Sequence, residues 1–307
     1  MRKSFFKGDL EKYNQFILES KDSGESFVTM TVGLSRKVKF QNGLQYKYFG
    51  TQKNKQFIDG AFLTPMVIKE VDKYIEQNGI PDKLDKVDVQ QFNFEKIINE
   101  VRSDKKRPIL GIDINSCYWR TANLLGYISD DLYERGLSTA KKKGLLVAIG
   151  CLNKLPIYKE FKGGECVNKW YGFDYHNKYS PFYWQIINHT HELMMECYDL
   201  MKENFYMFLT DCVFVDMKAM NVAQKFFIDR GYNIKHHVIN FEKYDGKRLI
   251  WWDNKDQRLK GIYASSRDIN NGYDAWKISK GASFDTPLPK LHIAPKQNNE
   301  LYESYED

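Results

Sequence analysis

Apolar positions recur at helical spacing near the start of the chain. Leu10, Tyr13, Ile17 and Leu18 mark a short amphipathic helix, and residues 27–34 read as a strand. The segment RKVKFQNGLQYKYFG then sets Asn42-Gly43 between two alternating runs. That is a strong hairpin signal and predicts a type I′ turn with positive φ at both residues. Val38 and Phe40 face one side of this hairpin, opposite Leu44, Tyr46 and Tyr48. Thr64-Pro65 reads as the N-cap and first position of a helix. It carries Val67, Ile68, Val71, Tyr74 and Ile75 on one face and ends at Asn78-Gly79. Residues 81–107 form a charged connector with one short helix around Phe94–Val101.

In the middle of the chain, Ile109–Ile114 (ILGIDI) reads as a buried strand with an aspartate inside it. Residues 120–136 are expected to form one helix ending at Gly136. Residues 139–153 form another, opening on Lys141-Lys142-Lys143, and 156–185 read as mostly loop. A helix over 188–203 lines up Leu193, Met194, Cys197, Leu200 and Met201. It is followed by FYMFLTDCVFVD, two apolar runs flanking Thr210-Asp211 in a hairpin-like arrangement. Residues 217–230 place Ala219, Ala223, Phe226 and Phe227 inside a helix stopped by Gly231. Residues 234–242 and 247–263 read as strands, the latter split around Asp253–Asp256. From Asp285 onward, prolines and an acidic end suggest a loose tail. The pattern is α+β. It divides into residues 1–104 with the basic hairpin, 105–284 as the central body, and a tail at 285–307.

Composition narrows the class. With 307 residues the chain can bury a core without disulfide or metal staples, and 42% hydrophobic with 15% aromatic residues rules out a wholly disordered chain. No apolar run is long enough for a membrane span, and the first residues, MRKSFFKGDLEKY, carry no secretory signal. The five cysteines are scattered without a C-x-x-C pair, so they read as reduced thiols of a cytoplasmic protein. A net charge of +6 permits a phosphate-rich partner without demanding one. Lys37, Lys39 and Lys47, interleaved with aromatics on the hairpin, can hold a nucleic-acid backbone or shield a solvated edge.

Asp113 and Asp211 are the candidate chemical residues. Each sits in hydrophobic sequence, where an unpartnered carboxylate is costly. A strand aspartate and a hairpin-turn aspartate can share divalent cations, the arrangement that serves phosphoryl transfer. Taken singly, each aspartate reads more readily as a capping or salt-bridged residue. His189 and His191, two apart on a helix, diverge, and His236 and His237 point to opposite faces of a strand. Gly163-Gly164 reads as an isolated turn and not as a phosphate loop.

The segment Asp113-Ile114-Asn115-Ser116-Cys117-Tyr118 resembles motif A of family B DNA polymerases, Asp-x-x-Ser-Leu-Tyr-Pro, with Cys117 for Leu and Trp119 for Pro. Leu209-Thr210-Asp211-Cys212 resembles motif C, Asp-Thr-Asp-Ser, with Leu209 at the first aspartate and Cys212 at the serine. Motif B, Lys-x-x-x-Asn-Ser-x-Tyr-Gly, is matched only by a basic helix start in AKKKGLLVAIGCLNK. KRLIWWDNKDQRLKGIY resembles the family's Lys-x-Tyr strand with its later Lys-Gly-Ile. The resemblance covers roughly residues 105–265. No counterpart of the proofreading exonuclease is visible.

The resemblance implies a palm-like antiparallel sheet backed by helices, with fingers-like helices at about 120–153. It implies a reduced polymerase of phage or mobile-element type in the host cytoplasm. Asp113 and Asp211 would hold two Mg²⁺ (or Mn²⁺) ions. Ser116, Tyr118 and Lys141, Lys142 or Lys143 would bind the dNTP, with Tyr118 as ribose gate. Lys247 and Lys260 would contact the primer duplex. The partners would be a DNA primer–template, dNTPs and a priming or replication protein. Two alternatives stay open: a catalytically degenerate palm that binds nucleic acid or serves structurally, and a two-metal nuclease.

Overall fold

A computed structural model describes residues 10–32, 35–49, 62–85, 87, 90–246 and 248–263; the side chains of Lys47, Phe49 and Tyr263 lie outside the description. The first elements in chain order are α1 (Leu10–Ser23), β1 (Ser26–Val32), β2 (Ser35–Phe40), β3 (Gln45–Phe49), α2 (Leu63–Asn78), β4 (Gln90–Phe92) and α3 (Phe94–Arg102). Then come β5 (Ile109–Ile114), α4 (Cys117–Leu124), α5 (Asp130–Thr139), α6 (Lys142–Gly150), β6 (Ile157–Lys162), β7 (Glu165–Tyr171) and α7 (Phe173–Met201). The last are β8 (Phe205–Leu209), β9 (Cys212–Asp216), α8 (Met220–Asp229), β10 (Ile234–Tyr244), β11 (Arg248–Asp253) and β12 (Arg258–Tyr263). The α+β expectation holds, with two antiparallel sheets backed by helices.

The chain forms two interleaved units, Met1–Asp85 with Tyr118–Ile187, and Lys86–Cys117 with Asn188–Asp307. The expected boundary at residue 104 therefore falls elsewhere. Residues 118–187, which the sequence pattern assigns to the central body, group with the N-terminal segment. The expected tail at 285–307 lies outside the described residues.

The sheet of the first unit runs β3-β2-β1-β6-β7. One face packs Phe27, Val38, Tyr48 and Phe161 against Tyr13, Phe16 and Ile17 of α1. The β2–β3 turn is not type I′. Gly43 donates to the Phe40 carbonyl at 3.1 Å, Phe40 donates to the Leu44 carbonyl at 3.0 Å, and in this loop positive φ is taken by Gly43 alone. This is a three-residue loop, in which a type I turn is followed by a left-handed glycine. Asn42 instead accepts the Leu44 amide through Oδ1 at 3.0 Å. The double positive φ occurs at Gly163 and Gly164 (54° and 74°), which join β6 to β7.

A helical core completes this unit. Leu63, Val67 and Val71 of α2, Trp119 of α4, Leu132 of α5, Leu145 of α6 and Phe182 of α7 are fully buried together. The helix expected over 120–136 is broken by Gly126 at φ 73° and restarts at Ser129, which accepts the Leu132 amide at 3.3 Å. Gly136 is no stop: a Cβ there would lie 2.5 Å from the Trp119 indole, so the glycine admits the ring. Helix α2 is capped at Phe62 without a side-chain bond, which leaves Thr64 and Pro65 inside its first turn. Pro65 is tolerated there because first-turn amides have no intrahelical acceptor.

The stretch 156–185, expected as loop, is a hairpin followed by the start of α7, a 29-residue helix that contains Pro181. Tyr175, Tyr179, Phe182 and Ile186 recur at spacings of four and three and pack into the helical core. That spacing is a helix signal masked in the sequence by Gly172 and Pro181.

The second unit is built on a sheet ordered β12-β11-β10-β5-β9-β8-β4, with every pair antiparallel. Leu110, Ile112, Ile114, Val213 and Val215 on one face pack against Met194, Cys197 and Met201 of α7 and Ala223 and Phe227 of α8. Leu200, expected on the inner face of α7, is 54% exposed. The other face packs Ile109, Phe214, Ile239, Phe241 and Trp251 with Phe92 and Ile97. Glu100 of α3 is 1% exposed and accepts the Arg107 amide at 2.7 Å and Nε at 2.9 Å. All five cysteines are free, and four of them are buried.

Candidate active site

Strand β5 runs between β9 and β10 at the middle of the seven-stranded sheet. It follows the expected bounds, Ile109–Ile114, because ILGIDI is apolar on both faces save for one position. That position, Asp113, is half-buried and stands opposite Cys212 on one flank and Lys235 on the other. Asp211 immediately precedes Cys212 in the two-residue turn between β8 and β9. Its carbonyl accepts the Ile114 amide at 2.9 Å, and the Asn233 carbonyl accepts the Asn115 amide at 2.8 Å. The structure thus brings Asp113 and Asp211 to the ends of neighbouring strands.

Both turns carry a residue in the left-handed region. Thr210, just before Asp211, has φ 58°, and Ser116, three residues after Asp113, has φ 50°. For non-glycine residues this conformation is costly and persists where surrounding structure imposes it.

Antiparallel pairing puts the residues opposite Asp113 on its own face of the sheet. Lys235 is exposed there, and two residues along β10 His237 faces Gly111. A Cβ on Gly111 would lie 2.6 Å from the imidazole, so the glycine gives the ring its place. Phe214 meets the same ring edge-on at 5.9 Å. Burial pushes the His237 imidazole below the usual histidine range; Asp253 and Asp113 pull it up, while Lys260 and Lys255 push it down.

Asp253, 1% exposed, accepts the Lys255 and Asp256 amides at 2.9 and 3.1 Å and pairs with Lys260 at 2.5 Å. Burial works to raise its carboxyl, but these donors together hold it below the usual range. Lys260 also pairs with Asp256 at 2.6 Å, so the ammonium expected to meet a primer backbone is held between two carboxylates.

The remaining site residues are distributed as follows. Ser116 belongs to the second unit, whereas Tyr118 and Lys141–Lys143 belong to the first. Tyr118 is half-buried against the helical core. Lys141 is the N-cap of α6, and all three lysines are exposed at the positive end of that helix, where an anion is favoured. Lys37 and Lys39 lie two apart on β2, with Lys47 opposite Lys37 in register. Lys247 lies outside the described residues.

The donor chemistry suits a hard cation. Mg²⁺ is commonly held by one or two carboxylates, with substrate phosphates and water completing its shell. Asp113 and Asp211 offer two carboxylates from neighbouring strand ends, Asp113 opposite Cys212 and Asp211 bonded through its carbonyl to the Ile114 amide. Among the described residues no group of three His, Cys, Asp or Glu side chains forms a protein-only metal cage. Nothing in the sequence singles out Lys235, His237 or Asp253 as site residues. Alternation along β10 assigns Lys235 and His237 to one face, but which face Asp113 shares is a matter of register.

No protein-family model and no curated protein matches this chain. No helix among the described residues is long and apolar enough to cross a membrane.

Proposed function

We propose that the chain carries a polymerase palm of the family B type that catalyses template-directed nucleotidyl transfer. The observation that carries this reading is the β5–β9 register, which sets Asp113 opposite Cys212 and one residue from Asp211. An antiparallel sheet backed by helices, with a left-handed residue in the Asp211 turn and another in the turn that follows the Asp113 strand, supports it. In the reaction a primer 3′-hydroxyl attacks the α-phosphorus of a dNTP and pyrophosphate leaves. Asp113 and Asp211 would hold Mg²⁺, which when bound would activate the hydroxyl and neutralise charge on the phosphates. Lys235, on the Asp113 face, adds a cation suited to a phosphate oxygen. The nucleotide-binding roles of Tyr118 and Lys141–Lys143 rest on the motif resemblance.

The test is extension of a labelled primer on a template with Mg²⁺ or Mn²⁺, comparing wild type with Asp211→Asn and Asp113→Asn. Extension by wild type that is lost in both folded variants supports the proposal. Extension retained in both variants refutes it.

A second reading has its own observation. Leu209, at the first aspartate of motif C, is 8% exposed and packs in the core around Phe214. A palm adapted to binding alone would leave the primer intact while still retaining DNA. Shortening of the primer would instead mark a two-metal nuclease.

A further inference from the structure

The sheet of the first unit has a second face, opposite the one that α1 covers. Its residues follow from the pairing. Met30 of β1 stands opposite Lys37 of β2 and Tyr158 of β6, and Tyr158 stands opposite Trp170 of β7. Lys47 of β3 completes the row opposite Lys37. Lys47, Lys37, Met30, Tyr158 and Trp170 therefore occupy one line across all five strands, with Lys39 and Val28 paired in the next line.

The row has an aromatic end and a basic end. Tyr158 and Trp170 are stacked, with ring centroids 5.4 Å apart and planes 9° from parallel. Trp170 is 39% exposed on an edge strand, so among the described residues no further strand lies beyond the indole. Lys39 is exposed and Lys37 partly so. Glu160 also lies on this face, but Lys162 pairs with it at 3.6 Å.

We infer that this face binds single-stranded nucleic acid. Bases would stack on Trp170 and lie along Tyr158 and Met30, while the phosphates would follow Lys37 and Lys39. Stacking platforms beside basic tracks are the recurrent solution for single strands, because every base has a π-face and every nucleotide a phosphate. A duplex, whose bases are already stacked on each other, cannot use the aromatic end. The inference stands apart from the nucleotidyl-transfer proposal, since it involves neither aspartate.

The experiment is fluorescence anisotropy of a labelled oligothymidylate with the full chain in EDTA, without nucleotide, so that no activity is required. Trp170→Ala should weaken binding about ten-fold or more, and Trp170→Phe should keep most of it. Lys37→Ala combined with Lys39→Ala should flatten the dependence of log affinity on log salt by about 0.7 for each phosphate that is no longer neutralised. Asp211→Asn should bind as wild type, whatever primer extension shows. Equal affinity in Trp170→Ala and wild type overturns the inference, as does displacement by duplex as effective as by single strand. A change in oligomeric mass in Trp170→Ala with oligonucleotide binding unchanged would assign the face to a second copy and also overturn it.

Discussion

Ile114 donates its main-chain amide to the carbonyl of Asp211 at 2.9 Å. This bond joins the end of β5 to the turn of the β8–β9 hairpin and uses neither carboxylate. Asp113→Asn and Asp211→Asn both keep this main-chain bond, so each should retain the β5–β9 pairing. Amide exchange at Ile114 checks it: protection at wild-type level is expected in both variants, and its loss would mean that a carboxylate helps hold the turn.

Thr210 holds φ 58° with a β-branched side chain, which suits that region poorly. Asparagine tolerates it better. Thr210→Asn should raise unfolding stability by about 1 kcal/mol, read from the urea midpoint at constant m. An unchanged or lower midpoint would count against strain at this turn.

Gly111 makes room for the His237 ring. Gly111→Ala should cost about 1–3 kcal/mol, because the ring or the strand must move. In the Gly111→Ala, His237→Ala pair most of that cost should disappear, and a double-mutant cycle reads the coupling. Additive effects would mean that the ring is not what the added methyl meets.

His237 and His176 both lie below the usual histidine range, burial being the leading cause in each. A group whose folded pKa is depressed binds its proton more readily when unfolded. Its contribution is fully present above about pH 6.5 and is lost as pH falls through the folded value. Urea midpoints should therefore fall between about pH 7.5 and about pH 5, and His237→Asn should reduce the fall. The same fall in the variant would remove His237 from the cause.

Lys260→Met leaves Asp253 buried with two amide donors and no cation. Breaking a buried pair from one side is costly; with Lys260 30% exposed the loss should be about 2 kcal/mol at neutral pH. Asp253 sits below the usual carboxylate range, so its stabilisation is present above about pH 4 and lost as pH falls through the folded value. The gap between wild type and variant should accordingly close in strong acid. A gap independent of pH would assign the loss to packing of the lysine stem.

Local pattern is what the sequence makes legible. ILGIDI predicts its strand residue for residue, and Thr210-Asp211 predicts its hairpin, because apolar runs bounded by a turn leave little choice. Gly79 and Gly231 end their helices, each at φ 80°. Pattern fails where one residue has two uses. Gly136 reads as a stop and serves as a seat for Trp119, and the aromatics of 173–186 read as loop because Pro181 interrupts them. The partnership of Asp113 with Lys235, and the placing of His237 over Gly111, depend on strand register between segments more than a hundred residues apart. No window of sequence carries that information.

The place of β5 in the seven-stranded sheet has a consequence for biosynthesis. Both of its neighbours, β9 and β10, are encoded downstream, beginning at Cys212 and Ile234. At about 5–20 residues per second, a translating ribosome leaves this apolar strand with two unpaired edges for roughly 5–20 seconds. During that interval the segment bearing Asp113 is open to wrong pairing. Messages truncated before Cys212 should yield aggregated product, whereas those reaching Tyr263 supply every strand the segment needs.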